Sequence, residues 1–221
     1  MTKKRKRKTR WYVFVAEVKP ASKKKKSAST VGLAGSDDGA ALYVGYIRGE
    51  RPEKRFPGDD FSSAKKGSIL EKRGVRILPD FTTKHTSKIG YLGQQQRLIE
   101  GLKADGFEVV NRPLAKTHSV YVIKLKSEVA EIPGVKKLNP DRDSSKHCVY
   151  VGQTKKEPRI RLEEHRNGVH AGRHLDRKTV IDLMPEKYEH LNPMTELESL
   201  RAERSVASKL RKDGWTVLGG H

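Results

Sequence analysis

The feature that most constrains this chain is that it repeats itself. The early half runs "RWYVFVAEV" (10–18), a polar insert, "ALYVGYIRG" (41–49) and "YLGQQQRLIEGLKADGFEVV" (91–110). The late half runs "SVYVIKLKS" (119–127), a polar insert, "CVYVGQTKK" (148–156) and "LESLRAERSVASKLRKDGWTVL" (197–218). The gaps agree as well as the letters. Tyr12 to Tyr43 is 31 residues and Tyr121 to Tyr150 is 29; Tyr43 to Gly106 is 63 and Tyr150 to Gly214 is 64. Fixed landmarks at near-equal spacing predict a tandem array of one supersecondary unit.

Each copy reads strand, long polar loop, strand, an irregular basic segment, helix, short strand. Two neighbouring β-rich runs joined by a loop suggest an antiparallel pair. The last helix opens after "NPMT", where Thr195 is an N-cap residue. It closes at Asp213-Gly214, where glycine suits a left-handed cap. The expected fold class is α/β (α+β), with two tandem units, each a small antiparallel sheet flanked by helices. The expected divisions are a basic arm at 1–10, a first domain at 11–111, a linker at 112–118 broken by Pro113, and a second domain at 119–221.

The balance of 47 basic against 27 acidic residues gives a net charge of +20, which calls for a polyanionic partner. Eleven of the cations lie in "TKKRKRKTR" (2–10) and in Lys23, Lys24, Lys25 and Lys26; without them the rest still carries +9. Runs of this kind read as solvated arms that add salt-dependent affinity for phosphate. No apolar run approaches a membrane span and no signal sequence opens the chain, so a cytoplasmic, intracellular protein is expected. The single cysteine, Cys148, leaves no internal disulfide and no cysteine-based zinc site. A zinc reading of His165, His170 and His174 is disfavoured by the glycines of "NGVHAGRH".

One carboxylate stands out. On a helical wheel Leu197, Leu200, Val206, Ala207 and Leu210 form an apolar arc, and Glu203 falls inside it, with Glu196 near the same face two turns earlier, so wheel position alone does not single out Glu203. A carboxylate buried there wants a lysine, an arginine or a divalent metal. Aligning Gly106 with Gly214 sets Gln95 opposite Glu203, so the early copy carries an amide where the late copy carries an acid. Arg161 and His165 are four apart and share a helical face; the early half has Arg51 and Arg55 but no histidine in the matching region.

"VYVI" (120–123), "VYVGQT" (149–154), Arg161 with His165, and Glu203 before "DGW" together resemble the GIY-YIG nucleases. The likeness spans the late half. It implies a compact domain around a three-stranded antiparallel sheet. It also implies cleavage of phosphodiester bonds with one divalent ion, Mg²⁺ or Mn²⁺. By position Tyr121 and Tyr150 match the two motif tyrosines, Arg161 the family arginine, His165 the histidine of many restriction-type members, and Glu203 the metal ligand. The final strand "TVLGGH" lacks the asparagine often found there.

The chemistry suits those groups. A metal on Glu203 supplies Lewis-acid stabilisation. Arg161 offers a planar charged fork to phosphate. A tyrosine whose pKa is lowered by nearby cations would take a proton from water, and His165 would relay it. Lys155, Lys156 and Arg159 would hold flanking phosphates. The early half keeps Tyr12 and Tyr43 but not the acid, and is expected to bind or pack without catalysis. The expected partner is double-stranded DNA, bound by a monomer or a homodimer. The competing expectation is a nucleic-acid-binding protein that has the fold and no activity.

Overall fold

The computed structural model describes residues 9–19, 40–169 and 174–220. The arm up to residue 8, Lys23–Lys26 and His170 lie outside the described residues. The chain divides into two compact units, Met1–Pro113 and Leu114–His221. Among the described residues no helix is long and apolar enough to cross a membrane. The fold class is α+β.

The early unit contains β1 (Trp11–Val18), β2 (Ala41–Arg48), α1 (Pro52–Arg55), α2 (Ile69–Arg73), β3 (Gly74–His85) and α3 (Lys88–Ala104). Its sheet has the order β2-β1-β3, all antiparallel. "WYVFVAEV" is buried at seven of eight positions, as a central strand rich in aromatic and β-branched residues should be. Even Glu17 is buried, accepting two hydrogen bonds from Arg76 at 2.7 and 2.9 Å. Past α3, Val109 pairs in parallel with Leu42, and the Asn111 amide then bonds both the N–H and the C=O of Val44 at 2.8 Å.

β3 was not anticipated, because Pro79 interrupts its pattern. The register with β1 jumps from Val15–Leu78 to Val13–Thr83, so residues 79–82 bulge out of the ladder. A proline in a bulge owes no ladder hydrogen bond.

The late unit contains β4 (Ser119–Leu125), α4 (Pro133–Leu138), β5 (Cys148–Thr154), α5 (Pro158–Arg166), β6 (Val180–Leu183), α6 (Glu196–Lys212) and β7 (Thr216–Gly219). Its sheet is four-stranded, in the order β6-β4-β5-β7. β4 is antiparallel to both neighbours, whereas β7 runs parallel to β5. The three-stranded antiparallel sheet expected here is therefore wider and mixed. A parallel return needs a crossover, and α6 supplies it. α6 opens on a capping box, Thr195 with Glu198, and closes before Gly214 at φ +83°, as its sequence predicted.

The two sheets share a pairing scheme. The third strand of each unit lies antiparallel to the first, and the segment after the long helix lies parallel to the second. The register matches too: Leu42 pairs with Val109 as Val149 pairs with Val217.

Candidate active site

The late site begins with register. Tyr121 sits opposite Gly152 and Ile123 opposite Tyr150, so both tyrosines and the glycine share one face of the β4–β5 pair. Gly152 makes room for the rings. A Cβ there would stand 2.7 Å from the Tyr121 Oη and 2.8 Å from the Tyr150 Cε1. The ring centroids lie 6.1 Å apart.

Helix α5, started by Pro158, packs Leu162 and His165 inward. His165 is fully buried, and its Nε2 is 2.8 Å from the Tyr121 Oη. Its ring is 5.9 Å from Tyr121 and 5.3 Å from Tyr150, centroid to centroid. Nδ1 is buried with no hydrogen-bond partner. A buried orphan N–H is rarer than an orphan acceptor, so the proton belongs on Nε2, which donates to the Tyr121 oxygen. Burial, and secondarily the Arg161 charge, push the imidazole pKa down to about 4. His165 is thus neutral at pH 7, which overturns its expected role as a group titrating near neutrality.

The phenols move the other way. Burial raises Tyr121 far above its ordinary value, against the opposing pull of Arg161. Burial, then the Glu203 charge, also raises Tyr150. The expectation of a phenol pKa lowered by cations is therefore corrected: desolvation wins. The two phenols act on each other, and that interaction favours ionisation of Tyr150 while opposing that of Tyr121. Tyr150 is also the more accessible of the two.

Arg161 lies one turn before His165 and against the Tyr121 phenol. Its Nη1 donates to Glu164 at 2.8 Å and to the Val169 carbonyl at 3.2 Å. Glu164 is also ion-paired to Lys156, and these cations, Lys156 first, hold its carboxyl below the usual range. Lys155 is exposed. Arg159 stands apart from the tyrosines, lining a cleft of ≈ 510 Å³ with Glu157, Asp182, Tyr188 and Glu189. Three carboxylates there make that cleft a poor phosphate site.

Glu203 stands on one line of α6 with Ser199 and Ala207, both fully buried, yet is itself only half-buried. Its Oε1 accepts a 3.2 Å hydrogen bond from the Gly220 N–H, a backbone partner the sequence did not suggest. Glycine is required here. Gly219 and Gly220 have φ of +78° and +74°. A Cβ on Gly219 would stand 2.1 Å from the Val151 carbonyl oxygen, and one on Gly220 2.2 Å from the Ala207 Cβ. Among the described residues no three His, Cys, Asp or Glu side chains gather as a ligand set. One carboxylate fits Mg²⁺, which keeps several waters and takes phosphate oxygens, better than a cation needing an all-protein cage.

In the early unit Phe14, not Tyr12, holds the place of Tyr121. Phe14 is opposite Gly45 as Tyr121 is opposite Gly152, and a Cβ on Gly45 would lie 2.5 Å from the Phe14 ring. Phe14 to Tyr43 is 29 residues, the same as Tyr121 to Tyr150. That signal was in the sequence; the match of Tyr12 with a tyrosine hid it. Phe56 packs on Phe14 at 6.4 Å, as His165 packs on Tyr121. Gln95 is buried, with its Nε2 donating to the Val44 carbonyl at 2.9 Å.

Two α+β units of one pairing scheme, one with a polar cluster and one with an apolar counterpart, define the chain's class. No protein-family model matches it, and no curated protein and no solved structure does either.

Proposed function

We propose that the late unit is the catalytic half of a metal-dependent DNA endonuclease resembling the GIY-YIG nucleases, and that the early unit is a degenerate second copy. One observation carries this: Tyr121, Tyr150, Arg161, His165 and Glu203 converge, while the early unit has Phe14, Phe56 and Gln95 in the corresponding surroundings.

Glu203 would hold one Mg²⁺ or Mn²⁺, which supplies Lewis-acid stabilisation of the phosphoryl oxygens when bound. Arg161 would set its permanent positive charge beside the phosphate. Tyr150, as phenolate, takes the proton of the attacking water as the water oxygen bonds to phosphorus. The P–O bond to the leaving oxygen breaks, and that oxygen is protonated by solvent. His165 stays neutral, donates to Tyr121 and so aims the Tyr121 hydroxyl at Tyr150. The basic arms and Lys155 add sequence-independent affinity for double-stranded DNA. The protein acts inside the cell, as a monomer or homodimer, with a restriction-type target preference.

Nicking of supercoiled plasmid in Mg²⁺ tests this. Wild type is expected to nick and Glu203→Gln to lose at least about 100-fold. A wild type inert in both Mg²⁺ and Mn²⁺ overturns the enzymatic reading, and a fully active Glu203→Gln overturns the site. The single carboxylate and the engagement of Arg161 by Glu164 favour a second reading, a non-catalytic DNA-binding protein, and the inert outcome selects it.

A further inference from the structure

The unit without catalytic chemistry carries an aromatic cluster of its own. Trp11 opens β1 and sits opposite Arg48; Tyr46 sits opposite Val13, so Trp11, Tyr46 and Arg48 share one face. Helix α3 brings Tyr91 to that face. The Trp11 and Tyr91 rings are stacked at 4.3 Å with 23° between planes. Tyr46 lies 4.6 Å from Tyr91 and 6.0 Å from Trp11. The Arg48 guanidinium covers Trp11 at 5.6 Å.

Tyr91 is 2 % exposed but Tyr46 is 45 % exposed, the one aromatic ring among the exposed large apolar side chains of the described residues. The core does not need that ring outside. The late unit manages the same positions with polar groups. Gln153, at the place of Tyr46, accepts from the Ser199 hydroxyl at 3.4 Å, and His118, at the place of Trp11, meets Glu196 at 3.6 Å. The early unit has rings at those places.

The surroundings are cationic. Arg10, Arg48 and Lys88 are all exposed at this end of the sheet. Arg10 is tied to the β2 exit by its carbonyl, which accepts from the Gly49 N–H at 2.9 Å. The nearest acid in sequence, Glu50, lies 4.0 Å from Arg55. A supported ring with one open face, sharing its face of the sheet with Arg48, matches a ligand that alternates π-faces with phosphates.

We propose that Tyr46, backed by Tyr91 and Trp11, is a stacking platform for an unpaired base of a DNA strand, with Arg48 and Arg10 on the flanking phosphates. The proposal rests on the reading that the chain binds DNA, and not on cleavage by the late unit.

Anisotropy titrations of the full chain in EDTA test it, using a labelled duplex and the same duplex with a single-stranded flap. Wild type is expected to bind the flap more tightly. Tyr46→Ala should raise the flap Kd about 10-fold and the duplex Kd less than about twofold, while Tyr46→Phe behaves as wild type. Arg48→Ala should lower the salt slope by about one unit on either DNA. Equal losses on both DNAs, or none, overturn the platform while leaving DNA binding intact. Tighter binding of an RNA flap overturns the assignment to DNA. No binding of any DNA overturns both the platform and the reading it rests on.

Discussion

In both units an aromatic ring on the first strand leans over a glycine on the second. In the late unit the ring is Tyr121 and its neighbour His165; in the early unit it is Phe14 and its neighbour Phe56. The glycine survives in both because the ring leaves no space for a Cβ, which is a demand of packing. The hydroxyl and the imidazole are present in one only. What the two units share is scaffold, and what separates them is where chemistry is to be sought.

The sharpest way to break the comparison is Tyr150→Phe. It should cut nicking by about 10²–10⁴-fold, the usual contribution of a positioned proton acceptor, whereas Tyr43→Phe should change nothing. Equal effects of the two in a nicking assay would sink the division into an active and an inactive unit. The wild-type rate should also climb through the alkaline range, because burial raises the Tyr150 phenol and more of it ionises as pH rises. A plateau beginning near pH 6.5 would point to a different base.

Next in size are the reciprocal exchanges. Tyr121→Phe removes the acceptor of the buried His165 N–H and should cost about 1–3 kcal/mol in denaturant titrations, with loss of nicking. Phe14→Tyr should destabilise the early unit by a similar amount, since it buries a hydroxyl against Phe56, and should create no activity. Gly152→Ala and Gly45→Ala should each destabilise by about 1–3 kcal/mol through overpacking. If only one of that pair does so, the shared scaffold is wrong.

The smallest effect is a slope. His165 titrates near 6.5 when unfolded and at about 4 in the fold. Between those values the unfolded chain binds more protons, so stability falls as pH falls below 6.5 and is unaffected above it. Between pH 6.5 and 5, wild-type melting temperature should fall more steeply than that of His165→Gln. Parallel curves would mean that the imidazole is not held neutral.

The α+β class and the α6 boundaries were legible because they rest on local signals: β-rich runs, a capping box and a terminal glycine. The convergence of Arg161, His165 and Glu203 on the tyrosines was legible only through the motif likeness. β3 was missed because a bulge spares Pro79 from the ladder, which no local pattern announces. Residue type pairs Tyr12 with Tyr121, whereas strand register pairs Phe14 with it, because each stands opposite its unit's glycine.

By itself the sequence determined the recurring spacing of its landmarks, the positive net charge and the amide at Gln95 where the spacing sets Glu203, since each follows from residue type and position alone. The tertiary structure decided protonation and partnership. Burial sets the pKa values of His165 and Tyr121 more strongly than their charged neighbours do, and burial depends on what the fold packs around a side chain. It also decided that Glu203 meets the Gly220 N–H, because only the parallel return of β7 brings that backbone to the helix.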